Sequence, residues 1–557
     1  MSYDPEPRYE LSGGAVEVGY EALAMECART GASVLAIDGP ATLPWEVAVD
    51  ALRAALSGIP LGVDVIDVRR HLVPFAEVAA LEDDPAFARL PDATLAGLFD
   101  VLPARPVNGA GVDLTLVIGP GSALVPHDVL WYADQPKSVG LARVRRGEAG
   151  NLGQPLREPG SERRLLYIDW PLVDRHKQTL SGRLDRFVDL TDVERPRSVA
   201  GDAVRASLRA LAGRPFRTCP TFLPGPWGGR WLQEQLAVEA DAPNLAWSYE
   251  LITPESGLLL GGGEDSVEVG FELLMAEQGE RILGADVAAR FGRTFPIRFD
   301  YLDTLGGGHL SLQCHPTDAY ARETFGLDFT QDETYYVMET TPGATVWLGL
   351  QEGADLEAFR REAEQAEREG VELEAGRYLR TQAAERHRLY LIPAGTPHAS
   401  GAGNVVLEIS ATPYLYTLRF YDWLRRDLEG ELRPVHLDHA FANLDPTCSG
   451  ARLSELMPEP TVVREGKGWR EVELGRHPDL FFAVHRLEFD DTIEDETAGR
   501  FHVLNLVEGT TIEIESETGD VHPLSYAETI VVPAAVGRYR LTRSSGPASK
   551  VVKAFVR

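Results

Sequence analysis

The sequence predicts a multidomain protein of the α/β plus β class, in which an N-terminal doubly wound α/β domain precedes two β-barrel domains. Three observations lead to this prediction. Up to about residue 215, short apolar runs alternate with helical stretches, as in parallel sheets covered by helices. The turn-rich segment Thr221–Gly229 then opens a β-rich region punctuated by glycine and proline. From about residue 460, short strands at even spacing indicate a second small barrel.

Individual elements follow from these patterns. Ser33–Asp38 is an apolar run typical of a buried strand, and helices are predicted at Trp45–Leu56 and Asp355–Glu369. The other predicted strands are Val63–Val68, Leu114–Ile118, Leu165–Ile168, Phe501–Val507, Thr511–Glu515, Thr529–Val532 and Tyr539–Leu541. We therefore expect domains at residues 1–215, 216–460 (with a helical insertion) and 461–557, which agrees with the domain count that 557 residues predict.

Composition excludes several classes of function. The net charge of −31 leaves no cationic face for a nucleic acid, so a phosphorylated substrate must be held by a few local Arg or Ser side chains. No apolar run approaches the roughly 18 residues that span a membrane, and no secretory signal is readable. The four cysteines are scattered without paired spacing, which indicates a reducing compartment and a cytoplasmic protein.

The most informative stretch runs from His309 to Asp318. In a strand, Ser311, Gln313 and His315 share one face, while Leu312 and Cys314 face the other way. A Gln-x-His pair presents an amide oxygen and an imidazole nitrogen side by side, which zinc accepts. The alternative is a solvent-facing strand edge.

Two further segments extend this set. Glu333 stands where a strand begins, although it could equally be a surface carboxylate. His398 follows a Pro-x-Gly turn that can direct an imidazole into a barrel mouth, although it could be a simple turn residue. Together, Gln313, His315, Glu333 and His398 would form a mixed N/O ligand set, and an open position for substrate would make the site catalytic.

These segments resemble the class I mannose-6-phosphate isomerases of the cupin superfamily. The shared features are the Ser-x-Gln-x-His-Pro strand, the Glu before an aromatic strand and the Pro-x-Gly-x-x-His turn, within residues 220–557. The resemblance implies double-stranded β-helix (cupin) barrels and one Zn²⁺ per chain, or another divalent metal. It implies that Gln313, His315, Glu333 and His398 are the ligands. It also implies a substrate and transition-state contact at Arg419 and a phosphate contact at Ser311.

The implied reaction interconverts mannose 6-phosphate and fructose 6-phosphate through a cis-enediol. Glu408 is the candidate proton shuttle, or else a salt-bridged carboxylate. Arg425 and Arg426 are candidate phosphate ligands, or else surface residues. His502 and His522 lie outside any ligand spacing, so the third domain is expected to be metal-free.

The chain departs from the family pattern at Gln331, where family members have a lysine that contributes to the active site, and again after Glu408. A glutamine can neither be protonated nor act as a base. These departures favour an alternative function, a metal-containing sugar or sugar-phosphate sensor without turnover.

The N-terminal segment Leu35–Pro40 resembles the first strand and turn of a P-loop kinase, and Leu165–Lys177 resembles a later segment of uridine-kinase-like proteins. Phosphate binding by a P-loop requires Gly-x4-Gly-Lys-Ser/Thr, and the stretch after Asp38 lacks the second Gly, the Lys and the hydroxyl. We therefore expect a degenerate kinase-like domain rather than an active kinase. One charged cluster there is either an anion site or a salt-bridged loop: Asp169, Asp174, Arg175, His176 and Lys177.

Overall fold

The computed structural model describes residues 3–74, 87, 93–102, 104–155, 158–263, 265–412, 416–427 and 430–557. The chain divides into two compact units. The first, here the α/β unit, consists of Glu6–Ala212 and Gly257–Gly279. The second, here the β-rich unit, consists of Met1–Pro5, Gly213–Ser256 and Glu280–Arg557. The finer domain boundaries at 215/216 and 460/461 stay predictions.

The strands and the principal helices are as follows. Strands in the first half of the chain are β1 Arg8–Tyr9, β2 Glu17–Val18, β3 Val34–Asp38, β4 Val63–Asp67, β5 Leu114–Ile118, β6 Val129–Asp134, β7 Arg186–Asp189, β8 Arg197–Ala200, β9 Thr221–Leu223, β10 Trp247–Leu251, β11 Gly257–Gly262, β12 Asp265–Gly270 and β13 Ile297–Asp303. Strands in the second half are β14 Leu312–Cys314, β15 Glu333–Thr340, β16 Thr345–Leu350, β17 Leu379–Ala383, β18 Leu389–Ile392, β19 His398–Ser400, β20 Asn404–Ala411, β21 Leu418–Tyr421, β22 Thr461–Gly466, β23 Trp469–Gly475, β24 Phe482–Phe489, β25 Thr492–Glu496, β26 His502–Glu508, β27 Thr511–Ser516, β28 Val521–Ser525, β29 Thr529–Val532, β30 Arg538–Ser545 and β31 Ser549–Val556. Helices are α1 Tyr20–Thr30, α2 Trp45–Leu56, α3 Lys137–Arg145, α4 Trp170–Leu180, α5 Gly201–Leu211, α6 Trp231–Leu236, α7 Phe271–Leu283, α8 Ala285–Phe291, α9 Leu356–Glu369 and α10 Leu437–Asn443.

The α/β unit is built on a seven-stranded sheet in the order β2-β8-β7-β6-β3-β5-β4. The five strands from β7 to β4 are parallel. Strand β8 runs antiparallel to β7, and the edge strand β2 pairs antiparallel with β8. Both faces are covered: Leu35 packs in a cluster with Leu23 of α1, while its neighbour Val34 packs on the other face with Leu172 of α4. The doubly wound parallel sheet predicted from the alternating pattern is therefore present.

One predicted strand is wrong. Leu165–Asp169 is a π-helical turn that leads directly into α4. A short apolar run does not distinguish a strand from a buried helical segment. Here Ser161 begins the helical stretch by accepting a hydrogen bond from the backbone N–H of Arg164. The fourth and fifth parallel strands are instead β6 and β7, which the sequence reading missed.

The α/β unit also recruits a segment from the middle of the chain. Strands β11 and β12 form a hairpin that pairs with β1 in a three-stranded sheet. The backbone N–H of Glu268 in β12 donates to Asp189 at the end of β7 at 2.9 Å. Residues 257–279 thus complete a unit whose other residues precede position 213.

The β-rich unit contains four antiparallel sheets. Two of them hold the candidate site: β18-β15-β20-β13-β10-β9 and β17-β16-β19-β14-β21. The other two, β22-β23-β24-β31-β26-β29 and β25-β30-β27-β28, share one apolar core, in which Leu504 and Val551 pack with Ile514 of the opposite sheet. Among the described residues, no helix is long and apolar enough to cross a bilayer.

Candidate metal centre

Three of the four predicted metal ligands come from separate strands of the two sheets. His315 follows the short strand β14, Glu333 is the first residue of β15, and His398 is the first residue of β19. The turn before His398 is closed by the Thr396 N–H donating to the Pro393 carbonyl at 3.1 Å, as the Pro-x-Gly pattern predicts. Placement at strand ends lets the three side chains converge.

The convergence point is a single carboxylate oxygen. Oε2 of Glu333 lies 2.7 Å from Nε2 of His315 and 3.0 Å from Nε2 of His398. All three side chains are buried, and one ligand atom from each lies within 4.8 Å of the others. Within the described part of the chain, this is the one group of His, Cys and carboxylate side chains close enough to hold a metal ion.

The donor chemistry of the three residues fits a cation. Nδ1 of His398 lies 2.9 Å from the Thr396 carbonyl oxygen, and Nδ1 of His315 faces the Tyr416 carbonyl oxygen at 3.5 Å. A carbonyl only accepts, so the ring proton belongs on Nδ1 and each Nε2 offers a lone pair. Two lone pairs and a carboxylate oxygen then face one another, an arrangement that a bound metal ion stabilises.

Protonation states agree with this arrangement. Burial lowers the pKa of the His315 imidazole and outweighs the opposing charge of Glu333, so the ring is neutral near pH 7. For Glu333, burial opposes ionisation, but protonated His398 and His315 would outweigh it by their charge and hydrogen bonds and hold the pKa of this carboxyl well below its usual range. A metal ion held between neutral rings and the carboxylate would act in the same direction. A neutral His315 imidazole and an ionised Glu333 carboxylate are the forms that ligate metals.

Gln313 lies beside this group. It pairs directly across β14 and β19 with His398, and its amide nitrogen is 3.4 Å from Nε2 of that histidine. The amide group therefore reaches the same point as the three ligands, and its oxygen is available as a fourth donor.

A second carboxylate, Glu408 on β20, adjoins the metal ligands. It is buried, ion-paired with Arg298 of β13, and accepts a hydrogen bond from Ser410 at 2.8 Å. Burial, with Asp300 and Glu333 adding to it, outweighs Arg298 and raises the pKa of Glu408 well above its ordinary value. Glu408 is thus a salt-bridged carboxylate that adjoins the metal ligands, and its role as a proton shuttle stays a prediction.

The other predicted site residues occupy different surroundings. The Ser311 hydroxyl donates a hydrogen bond to the Asp422 carboxylate at 2.8 Å. The same carboxylate forms an ion pair with Arg433 at 2.7 Å. Arg419 pairs across the strands with Gln313, and its guanidinium donates to the Pro434 carbonyl at 3.1 Å. Arg425, half-buried, donates to the His309 carbonyl, and Arg426 donates to the Gly430 carbonyl at 2.7 Å on the surface. Apart from the backbone pairing of Arg419 with Gln313, none of these contacts involves a predicted metal ligand.

Comparisons with known proteins agree with this architecture. Over 250 residues the chain is 23% identical to the mannose-6-phosphate isomerase ManA of Bacillus subtilis (strain 168), covering 45% of this chain and 73% of that one. Over 150 residues it is 30% identical to the probable mannose-6-phosphate isomerase GmuF of the same organism, covering 27% and 44%.

The crystal structure of the mannose 6-phosphate isomerase from Bacillus subtilis superimposes with a TM-score of 0.50 at 20% identity, over 61% of this chain and 99% of that one. The chain is similar to the mannose-6-phosphate isomerases. Residues 19–213, in contrast, match a family described as a domain of unknown function, DUF8485.

The departure from the isomerase pattern at Gln331 lies inside the candidate centre. Its amide nitrogen is 3.4 Å from a Glu408 carboxylate oxygen, and its own oxygen is buried with no hydrogen-bond donor among the described residues. The glutamine thus occupies the place from which a lysine would neutralise Glu408, but it supplies no charge.

Sequence reasoning missed Arg298 and Asp300. Both lie on β13, where they alternate with buried Ile297, Phe299 and Tyr301. Asp300 is directly opposite Glu408 in the sheet, and burial raises the pKa of its carboxyl to about 7. Polar residues alternating with large apolar ones on a buried strand were the available indication of a polar interior.

The charged cluster of the N-terminal region is a set of salt bridges on a helix. Lys177 lies between Asp134 and Glu272, Asp174 pairs with Lys137, and Asp169 contacts Asn151 at 2.8 Å. These residues are on α4 or the turn before it, so the salt-bridge alternative describes them, although the loop assignment was wrong.

Proposed function

We propose that the protein is a metal-dependent aldose–ketose isomerase that interconverts mannose 6-phosphate and fructose 6-phosphate. The observation that carries the proposal is the convergence of His315, Glu333 and His398 beside the buried carboxyl of Glu408. Similarity to mannose-6-phosphate isomerases over this part of the chain supports the choice of substrate.

Gln313, His315, Glu333 and His398 would hold one Zn²⁺ or another divalent ion per chain. When bound, the metal supplies Lewis-acid polarisation of the sugar oxygens. A buried carboxyl whose pKa is raised well above its usual range takes up a proton more readily than an exposed one, which supports Glu408 as the group that moves a proton between adjacent sugar carbons. Arg298 holds the carboxylate in place through its ion pair.

The substrate phosphate would be held by cationic groups on neighbouring loops. Arg419 is the proposed substrate contact because its backbone pairs with that of Gln313. The proposed phosphate contacts are Ser311, Arg425 and Arg426. Of the two arginines, Arg425 is the more buried, with 14% of its side chain exposed.

The test combines metal analysis with a coupled assay of mannose 6-phosphate conversion, in the wild type and in His315→Ala. We expect about one zinc per chain and isomerase activity, both lost in the variant because Gln313, Glu333 and His398 would be left to hold the metal with a single nitrogen ligand. The matched control is His127→Ala in the α/β unit, whose imidazole contacts the Val125 carbonyl and which should keep both properties. Wild-type protein without metal would contradict the proposal.

A non-catalytic sugar-phosphate sensor is the second candidate, favoured by Gln331 facing Glu408 without a charge. Gln331→Lys separates the two functions. A gain in kcat of tenfold or more, absent in Gln331→Met, would show that catalysis has decayed in this chain. Equal and measurable isomerase rates in the wild type and both variants would show that the lysine is dispensable and would favour the isomerase.

For the α/β unit we propose a degenerate kinase-like fold that does not transfer phosphate from ATP. The strand order around β3 and a cavity of about 720 Å³ next to the ends of β4 and β5 support ligand binding there. At the end of β3, the Asp38 carboxylate accepts hydrogen bonds from the backbone N–H groups of Gly121 and Ala123, at 3.0 and 2.8 Å. Its oxygens are thus used within the protein fold. ATP consumption that depends on residues 35–45 would contradict this proposal.

A further inference from the structure

A second cavity lies in the β-rich unit, at one end of the two-sheet core formed by β22–β31. Its volume is about 540 Å³, within the range of small-molecule sites. Four arginines border it, one from each of four places in the chain: Arg290, Arg476, Arg500 and Arg557. No residue of the candidate metal centre borders this cavity.

The charge around this cavity is opposite to that of the whole chain. The protein carries a net charge of −31, whereas the four guanidinium groups face a single carboxylate in the cavity lining, Asp479. Of the four arginines, Arg476 pairs with Glu473 at 3.0 Å. Arg500 donates to the Val556 carbonyl and Arg557 to the His477 carbonyl, and these acceptors carry no formal charge. Glu473 offsets part of the charge of Arg557 as well as that of Arg476.

Arg290 is the most available of the four. It is exposed at the end of α8, and its guanidinium lies 5.2 Å from the ring centre of Phe481. No carboxylate pairs with it in the described part of the chain. Partial burial and the charge of Arg476, then that of Arg290, lower the pKa of the Arg557 guanidinium against the opposing charge of Glu473, in agreement with the shared position of these three cations at the cavity.

The inner wall of the cavity is aromatic and apolar. Phe481 is buried, and Phe555 packs edge-on with His485 at 5.0 Å between ring centres. Nδ1 of His485 lies 2.7 Å from a Glu471 oxygen. A ligand that fits such a cavity combines an anionic head group, facing the arginines, with a small body that packs on the two rings.

We propose that this cavity binds a phosphate monoester, independently of the metal centre. A phosphate carries up to two negative charges and three acceptor oxygens, which matches several guanidinium forks better than a single carboxylate does. A polymeric nucleic acid is excluded because the site is concave, small and set in a strongly acidic protein.

The test uses phenyl phosphate and inorganic phosphate as probes in isothermal titration of the full chain. The background removes both the metal and the cationic phosphate contacts proposed beside it, by combining His315→Ala with Arg419→Gln, Arg425→Gln and Arg426→Gln. We expect one phenyl phosphate per chain, bound more tightly than inorganic phosphate because of the aromatic wall, with affinity that falls as salt concentration rises.

Arg290→Gln/Arg476→Gln should weaken binding of phenyl phosphate at least tenfold. Both residues are exposed, and their replacement should leave the unfolding temperature unchanged. The matched control is Arg361→Gln/Arg380→Gln, two exposed arginines of the same unit that do not border the cavity. Absence of saturable binding, or equal losses in both double variants, would overturn the proposal.

Chemical protection supplies a second readout. Phenylglyoxal modifies exposed arginines, and mass spectrometry of the wild-type protein identifies which ones. Phenyl phosphate should protect Arg290 and Arg476 and leave Arg361 reactive, and equal modification with and without the probe would count against the site. The isomerase assay is separate, so the failure of either proposal leaves the other standing.

Discussion

Glu333 contacts both histidines of the candidate metal centre through a single oxygen. Its other carboxylate oxygen is buried without a hydrogen-bond donor among the described residues. A buried anion is stable only where cations or hydrogen-bond donors surround it. In this centre the imidazole nitrogens are acceptors, so a metal ion would supply the missing positive charge.

Glu408→Gln tests the proton shuttle at the residue scale. The substitution keeps the size of the side chain and its contact with Arg298 but removes the exchangeable carboxyl proton. We expect kcat for mannose 6-phosphate to fall by about 10²–10⁴-fold. Zinc content should stay at the wild-type level, because Glu408 is not among the ligands. Full activity of the variant would remove Glu408 from the mechanism, and the exposed Glu372→Gln is the control.

Glu250 gives a prediction on pH and stability. It is buried in the β-rich unit and accepts hydrogen bonds from Tyr3 and Ser248, both at 2.6 Å. Burial raises the pKa of its carboxyl from 4.5 to about 7. Between these two pH values the folded chain keeps a proton that the unfolded chain has released, so the contribution of this residue to stability falls as pH rises.

Glu250→Gln cannot ionise and should escape this loss. Relative to the wild type, the variant should gain up to about 3 kcal/mol in the free energy of unfolding between pH 4.5 and pH 7, with no further gain above. Urea unfolding at pH 5 and pH 8 measures the difference. Exposed Glu465→Gln should show no such trend, and parallel pH profiles for the two variants would refute the prediction.

At the scale of single elements, helix α9 shows how local rules and tertiary packing combine. The sequence predicts it from an apolar stripe and a terminal Gly370, and the structure confirms it at Leu356–Glu369. Gly370 adopts the left-handed conformation, with φ 65°, that favours glycine at a helix end. The buried stripe packs through Phe359, whose ring is stacked 4.9 Å from that of Tyr378.

Asp355→Ala tests the start of this helix. The Asp355 carboxylate accepts a hydrogen bond from the Ala358 backbone N–H at 2.9 Å and so satisfies one of the free donors of the first turn. Its loss should cost about 1 kcal/mol in the free energy of unfolding. Asp355→Asn should retain most of that stability because the amide oxygen can accept the same bond. Equal losses in both variants would show that the carboxylate acts through charge instead.

At the scale of the whole molecule, residues 257–279 join a unit that lies before them in sequence. Lys177 of α4, with 3% of its side chain exposed, contacts both Asp134 of β6 and Glu272 at the start of α7. Burial opposes its charge, but the two carboxylates outweigh it and raise the pKa of the ammonium group. The ion triplet connects the recruited segment with the parallel sheet inside the α/β unit.

Lys177→Met should destabilise the α/β unit by about 3–5 kcal/mol, because it leaves two buried carboxylates without a cation. Adding Asp134→Asn and Glu272→Gln to the same chain should recover much of the loss, since the buried negative charge is then removed. Thermal unfolding of the full chain provides the measurement, with exposed Lys467→Met as the control. A variant as stable as the wild type would show that water already solvates these carboxylates.

Local patterns in the sequence were sufficient for the parallel strands β3, β4 and β5 and for helix α9. They also brought forward His315, Glu333 and His398, each from its own local motif, while the resemblance to the isomerases joined them with Gln313 into one ligand set. These features depend on residues close in sequence, whose periodicity or turn chemistry reflects the structure they form.

Other features depend on contacts between distant parts of the chain. Arg298 meets Glu408 across 110 positions of sequence, and Lys177 meets Glu272 across 95. The Leu165–Asp169 run became helical although its composition suits a strand. Periodicity shows which face of an element is buried, but not which element covers it. The partners of a buried charge are therefore established only when the sheets pack together.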